Sequence, residues 1–188
     1  MFVNRLVGED GNYSAFFQSL VDAVINGIVS PEAVLARSGK GDSQERALAY
    51  LRAKEAGMLF EEDVAALVEL WLSEHPKGGC RLSRNRIFNT GGTTYVADFC
   101  FENGKAKAGV PVLCLQCKSS PRPDRLELAL AESLIGHQKT GGATIVTVVP
   151  YLTSEAEAVL PKFAGLGFAV VTLSQLAKHL DEAAKACR

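Results

Sequence analysis

Gly109-Val-Pro-Val-Leu-Cys-Leu-Gln-Cys-Lys-Ser-Ser120 is the stretch that decides the fold. It is apolar over residues 110–115, and Val, Leu and Cys suit a strand covered on both faces. Side chains alternate across a pleat. Val112, Cys114, Gln116 and Lys118 are therefore expected on one face, with Leu113, Leu115 and Cys117 on the other. A Gln and a Lys together at the end of an apolar strand are costly to desolvate unless something engages them. That pair marks a candidate site.

Upstream, residues 81–89 and 93–101 have strand character, separated by the turn pair Gly91-Gly92. In the second of these, Val96, Asp98 and Cys100 are expected to share a face, and Asp98 is the only charge among apolar neighbours. Glu102-Asn-Gly-Lys105 is a hairpin turn signal, so the 110–118 strand should pair antiparallel with the one carrying Asp98. A carboxylate on one strand and Gln-x-Lys on the next can converge on one ion or phosphate.

Downstream, residues 125–137 are helical and close at Gly141-Gly142, and residues 143–149 form a buried strand. Thr153 or Ser154 caps another helix, residues 168–173 form a last strand, and Ser174 caps a closing helix. Strand, helix and strand with short links imply a parallel pair with a right-handed crossover.

The amino-terminal part is helical. Residues 13–28 have apolar helical spacing, and Ser30-Pro31 is an N-cap followed by proline at the first helical position. After Ser38-Gly-Lys-Gly41, a helix is expected to run to about residue 56 and stop at Gly57. Another covers residues 60–74, with Phe60, Val64, Leu67, Val68 and Trp71 as its apolar stripe. Glu62 and Glu69 fall opposite that stripe and Glu61 lies on its edge. The division expected is a helical extension, residues 1–57, and an α/β domain, residues 58–188.

With 188 residues, 47% hydrophobic and 22% charged, the chain has the composition of an ordinary globular protein. Its longest apolar run, residues 143–152, is far short of the roughly 20 residues that span a bilayer. The amino terminus lacks the apolar core of a secretory signal. Five cysteines without framework spacing suit a reducing compartment, and a cytoplasmic protein is expected. Cys114-Leu-Gln-Cys117 is formally a CxxC, but the strand phase sends its sulfurs to opposite faces, which favours core cysteines over a metal or redox pair.

Charge is unevenly distributed within a formal net of −1: residues 1–76 sum to −6 and residues 77–125 to +6. A basic segment around the candidate site suits phosphate contact, although a solvated basic surface has the same composition. Other chemistries lack their motifs. The sequence contains no GxxxxGK[ST], no HExxH and no GxSxG.

An acid-bearing helix, three meandering strands with Asp98 on the second and Gln116-x-Lys118 on the third, then a helix and a parallel strand: this order resembles the PD-(D/E)xK nuclease superfamily. The resemblance is closest to the Mrr-type restriction endonuclease branch, with its Gln-x-Lys variant. It rests on Ala97-Asp-Phe99, Leu115-Gln-Cys-Lys118, residues 143–149, Leu152-Thr-Ser-Glu-Ala-Glu157 and residues 168–173, and covers about residues 60–180.

The resemblance implies a restriction-endonuclease-like α/β core (αβββαβ plus an αβα ending) behind a helical N-terminal extension. It implies a DNA endonuclease of restriction or defence type, using Mg2+ or Mn2+ and acting as a homodimer. Asp98 and Gln116 would hold the metal, and Lys118 would orient water or stabilise the transition state. Glu61 would be the helix carboxylate, with Glu62 and Glu69 as competitors for that role. Arg84, Arg86, Arg122 and Arg125 would contact DNA phosphates. Asp98 follows Tyr95-Val-Ala97 in place of the family's Gly-rich approach, and Gln116 supplies no charge. The alternative reading is therefore a catalytically inactive nuclease-fold module that binds nucleic acid or a protein partner, the partner meeting the acidic N-terminal helices.

Overall fold

The computed structural model describes residues 13–36, 42–75, 79–90, 92–104, 109–163 and 168–187. Two compact units divide the chain, Met1–Leu59 and Phe60–Arg188.

In the first unit, α1 (Tyr13–Ile25) and α2 (Pro31–Leu35) precede α3. Ser30 caps α2 as its position before Pro31 predicts, its hydroxyl accepting from the Ala33 N–H at 3.3 Å. Phe17, Val21, Val24, Leu35, Ala47 and Leu51 form the small core of this unit. The Ser38–Gly41 break lies outside the described residues. Helix α3 spans Gln44–Glu74 without interruption, so the expected stop at Gly57 does not occur. A glycine within a helix costs about 1 kcal/mol relative to alanine, too little to end one that buries apolar residues on either side.

The second unit is a mixed α/β structure around a five-stranded sheet in the order β1-β2-β3-β4-β5. Its strands are β1 (Cys80–Thr90), β2 (Thr93–Asn103), β3 (Val110–Cys117), β4 (Thr144–Val149) and β5 (Phe168–Thr172). The first three form an antiparallel meander, and β4 and β5 continue it in parallel, as the alternation of strand and helix predicts. The residues of the turn between β2 and β3 at 105–108 lie outside those described.

Two helices cover one side of the sheet. Phe60, Val64, Ala65, Val68 and Trp71 of α3 and Leu176, Leu180, Ala183 and Ala184 of α6 (Leu173–Ala186) pack on Phe99, Phe101, Leu113, Leu115, Val146 and Val148. The Trp71 indole N–H donates to Asp181 at 2.9 Å and ties the two helices together. At the start of α6 the cap is Thr172, one residue before the helix, whose N–H donates to Gln175 Oε1. Ser174, the expected cap, lies within the first turn. Thr153 caps the short α5 (Ser154–Glu157), its hydroxyl accepting from Ala156 at 3.1 Å.

Helix α4 (Pro123–Lys139) covers the opposite side, burying Leu126, Ala129, Ser133 and Gly136. Gly136 lies on the Tyr95 ring so closely that a Cβ there would come within 2.6 Å of it. A disulfide joins Cys80 at the start of β1 to Cys187 after α6, closing a separation of 107 residues that the cysteine spacing did not suggest. Among the described residues no helix is long and apolar enough to cross a membrane.

Gly136→Ala is expected to destabilise the protein by about 1–3 kcal/mol, the usual cost of overpacking. A denaturant titration checks this, and an unchanged midpoint would show that α4 has room to shift.

Candidate functional site

The two strands of the first hairpin change face together. Cys80 and Leu82 pack with the core under α3 and α6, whereas Phe88 of the same strand packs with Tyr95, Ala97 and Cys100 on the α4 side. An unbroken pleat would put these even-numbered residues on one face. The change falls at Asn85, which takes a left-handed φ of 51°, a conformation Asn tolerates better than most residues.

Residues Arg84 and Arg86 pair with Phe99 and Ala97, so Asn85 lies opposite Asp98. On β2, Ala97 and Cys100 share a cluster although they are three apart, and Phe99 and Phe101 join the other one. Asp98 sits at the change-over. The expected grouping of Val96, Asp98 and Cys100 on one face therefore fails: Cys100 is buried and Val96 is exposed. Strand β3 keeps its phase from Leu113 onward. Cys114 and Gln116 face α4, Leu115 and Cys117 face α3 and α6, and the two CxxC sulfurs part as expected. Val112 departs, packing on the α3 and α6 side.

Pairing of β2 with β3 ends at Phe99–Leu115, while β3 stays with β4 through Cys117–Val148. At this fork the Cys117 N–H donates to the Asp98 carboxylate at 2.6 Å. Next along, the Lys118 N–H donates to the Val148 carbonyl at 2.9 Å. Burial pushes the Asp98 pKa above the ordinary carboxylate value, and the repulsion of Glu132 adds to this. The Cys117 N–H and the Lys118 charge oppose the shift without cancelling it.

Gln116 is almost wholly buried, and Ser133 of α4 donates to its Oε1 at 3.5 Å, long for a hydroxyl bond. Lys118 reaches across to α4, where its ammonium donates to Glu132 Oε2 at 2.7 Å. Asp98, Gln116 and Lys118 are thus brought together at one fork in the sheet. Of the α3 acids, Glu62 and Glu69 both grip Arg84, at 3.4 and 3.0 Å. Glu61 is the one whose charge acts on the Cys117 thiol, raising its pKa together with burial, the largest cause, and Asp98.

The four arginines do not form an open basic face. Arg84 stacks over Phe99 while held by Glu62 and Glu69, and Arg86 lies 3.4 Å from the buried Glu102, which also takes Arg81. Arg122 and Arg125 share Asp124 at the start of α4, at 3.1 and 4.0 Å. The exposed pairs, those of Arg84, Arg122 and Arg125, hold by only about 0–1 kcal/mol, so a phosphate can compete for them.

Glu132 is the site residue that sequence reasoning missed. Its only sequence signal is its place beside Ser133, a member of the buried stripe of α4. Acids bordering such stripes are commonly solvated.

Oxygen donors at the fork suit a hard divalent cation. Asp98 offers the oxygen that does not take the Cys117 N–H, and Gln116 offers its weakly engaged carbonyl. Among the described residues no group of three or more His, Cys, Asp or Glu side chains is arranged to hold a metal. A cavity of about 560 Å³ lies between β5 and α6, lined by residues such as Phe168, Val170, Gln175 and His179. It is three strands away from Asp98 in sheet order. No family model and no curated protein matches this chain.

Because the folded Asp98 binds its proton more tightly than the unfolded chain does, stability from this residue is full below its unfolded pKa and lost as pH rises through its folded one. Asp98→Asn, always neutral, should melt at or above the wild type at mildly alkaline pH, and the gap should close as pH falls. A gap that widens on acidification would mean that the carboxylate is stabilised, not strained, at the fork.

Proposed function

We propose that the chain is a metal-dependent DNA endonuclease with a restriction-endonuclease-like core, close to the Mrr-type branch of the PD-(D/E)xK superfamily. The observation that carries this reading is the fork at Asp98. A carboxylate anchored by the Cys117 N–H, a Gln on the adjoining strand and a Lys two residues further meet where β2 leaves β3. Phosphodiester hydrolysis asks for that set: oxygen ligands for a cation, and a positive group beside the scissile phosphate.

In this reading Asp98 and Gln116 would hold Mg2+ or Mn2+, whose chemistry would be Lewis-acid polarisation of the phosphate and activation of water. Lys118 orients that water or offsets charge developing on the phosphate oxygens. Glu61 is the helix carboxylate, the α3 acid whose charge acts on the Cys117 thiol at the fork. Arg84, Arg122 and Arg125 exchange their exposed carboxylate partners for backbone phosphates, and the exposed Arg86 meets phosphate while staying against the buried Glu102. One such core cuts one strand, so double-strand cleavage calls for a homodimer.

A second reading is a catalytically inactive module of the same fold that binds nucleic acid, or a protein through the acidic N-terminal helices. Two observations favour it: Gln116 contributes no charge, and Lys118 has Glu132 as a counter-ion.

Incubation of the purified chain with plasmid and with single-stranded DNA separates the two readings. Nicking should require Mg2+ or Mn2+ and stop with EDTA. Asp98→Ala and Lys118→Ala should each lower it by about 100-fold or more, the usual cost of removing a group that stabilises transition-state charge. Normal cutting by either variant would sink the site assignment. Salt-sensitive DNA binding without cutting would favour the inactive module.

A further inference from the structure

Helix α4 addresses the β3 site with two consecutive side chains. Ser133 donates to Gln116, and Glu132 accepts from Lys118 at 2.7 Å. The register that allows this is set by packing: Gly136 rests on Tyr95 with no room for a Cβ, and Leu126, Ala129 and Ser133 are buried in line with it. Helix and strand cannot slide relative to each other without disturbing that contact. Lys118 keeps 27% of its side-chain surface and Glu132 36%, so the pair stands at the mouth of the fork, where a ligand can reach the ammonium.

A lysine side chain has four rotatable bonds and, left to itself, samples many positions. One carboxylate at hydrogen-bonding distance selects among them. Its charge also reaches Asp98, across the fork.

We propose that Glu132 is the positioning residue for Lys118, holding the ammonium at the fork beside Asp98 so that a phosphate entering there meets it already oriented. The inference rests on the nuclease reading for its kinetic consequence but not for its geometry. Glu132 acts through Lys118 and does not itself touch the reacting atoms.

Two measurements on the full chain test it. In single-turnover cleavage of a saturating DNA duplex with Mg2+, Glu132→Gln should lower the rate by about 10–100-fold, the range for losing a group that orients a site residue. DNA affinity and melting temperature should stay near wild type, and Glu132→Asp should recover much of the rate. In a pulse of acetic anhydride without DNA or metal, read by mass spectrometry, Lys118 of Glu132→Gln should acetylate severalfold faster, relative to the other lysines, than in wild type.

Wild-type cleavage by Glu132→Gln would overturn the proposal, as would unchanged acetylation of Lys118. If the wild type itself does not cut DNA, the nuclease reading falls and the acetylation result alone decides whether Glu132 holds Lys118.

Discussion

The bond from the Cys117 N–H to the Asp98 carboxylate carries the architecture of the site. Where β2 parts from β3, the ladder can no longer supply an acceptor for that N–H. A buried backbone donor without a partner costs on the order of a lost hydrogen bond, so the fork exists only because a side chain takes over. Asp98 does so at its own expense. Burial penalises its charge more than the N–H and Lys118 repay, which leaves its pKa raised.

Around that bond the surrounding elements divide the work. Asn85, opposite Asp98, absorbs the change of face on β1 in a left-handed conformation, so both strands of the hairpin turn over at the same level. From one side α3 brings Glu61 near the fork and removes Glu62 and Glu69 by pairing them with Arg84. From the other side α4 delivers Glu132 and Ser133, held in register by the contact of Gly136 with Tyr95. The basic segment is thereby offset by carboxylates from outside it, Glu62 and Glu69 of α3 and Glu132 of α4. Its net charge in the sequence overstates the positive field at the surface.

Much of the architecture was legible in the chain because it is local. Apolar periods of two and of about 3.6 mark the strands of the sheet and the helices that cover it. Ser30 before Pro31 and the Thr153-Ser154 pair mark helix starts, because a hydroxyl there satisfies an N–H the helix leaves open. Asp98, Gln116 and Lys118 stood out as polar groups in apolar strands, where each needs a physical reason to be. Gly57 misled for the same local reason. Its cost to a helix is small beside the apolar contacts made on either side of it.

By itself, then, the sequence determined the order of the strands and of the helices between and after them, the antiparallel meander followed by parallel strands, and the alternation of β3 from Leu113 onward. Each of these follows from the spacing of neighbours along the chain. Tertiary structure alone decided that Asn85 and Asp98 turn their strands over together and that Glu132 meets Lys118. It also joined Cys80 to Cys187 across 107 residues. All three are relations between distant segments, set by strand register and by how a helix rolls and slides on its sheet. Those degrees of freedom are settled by packing contacts such as that of Gly136 on Tyr95, and no short-range pattern records them.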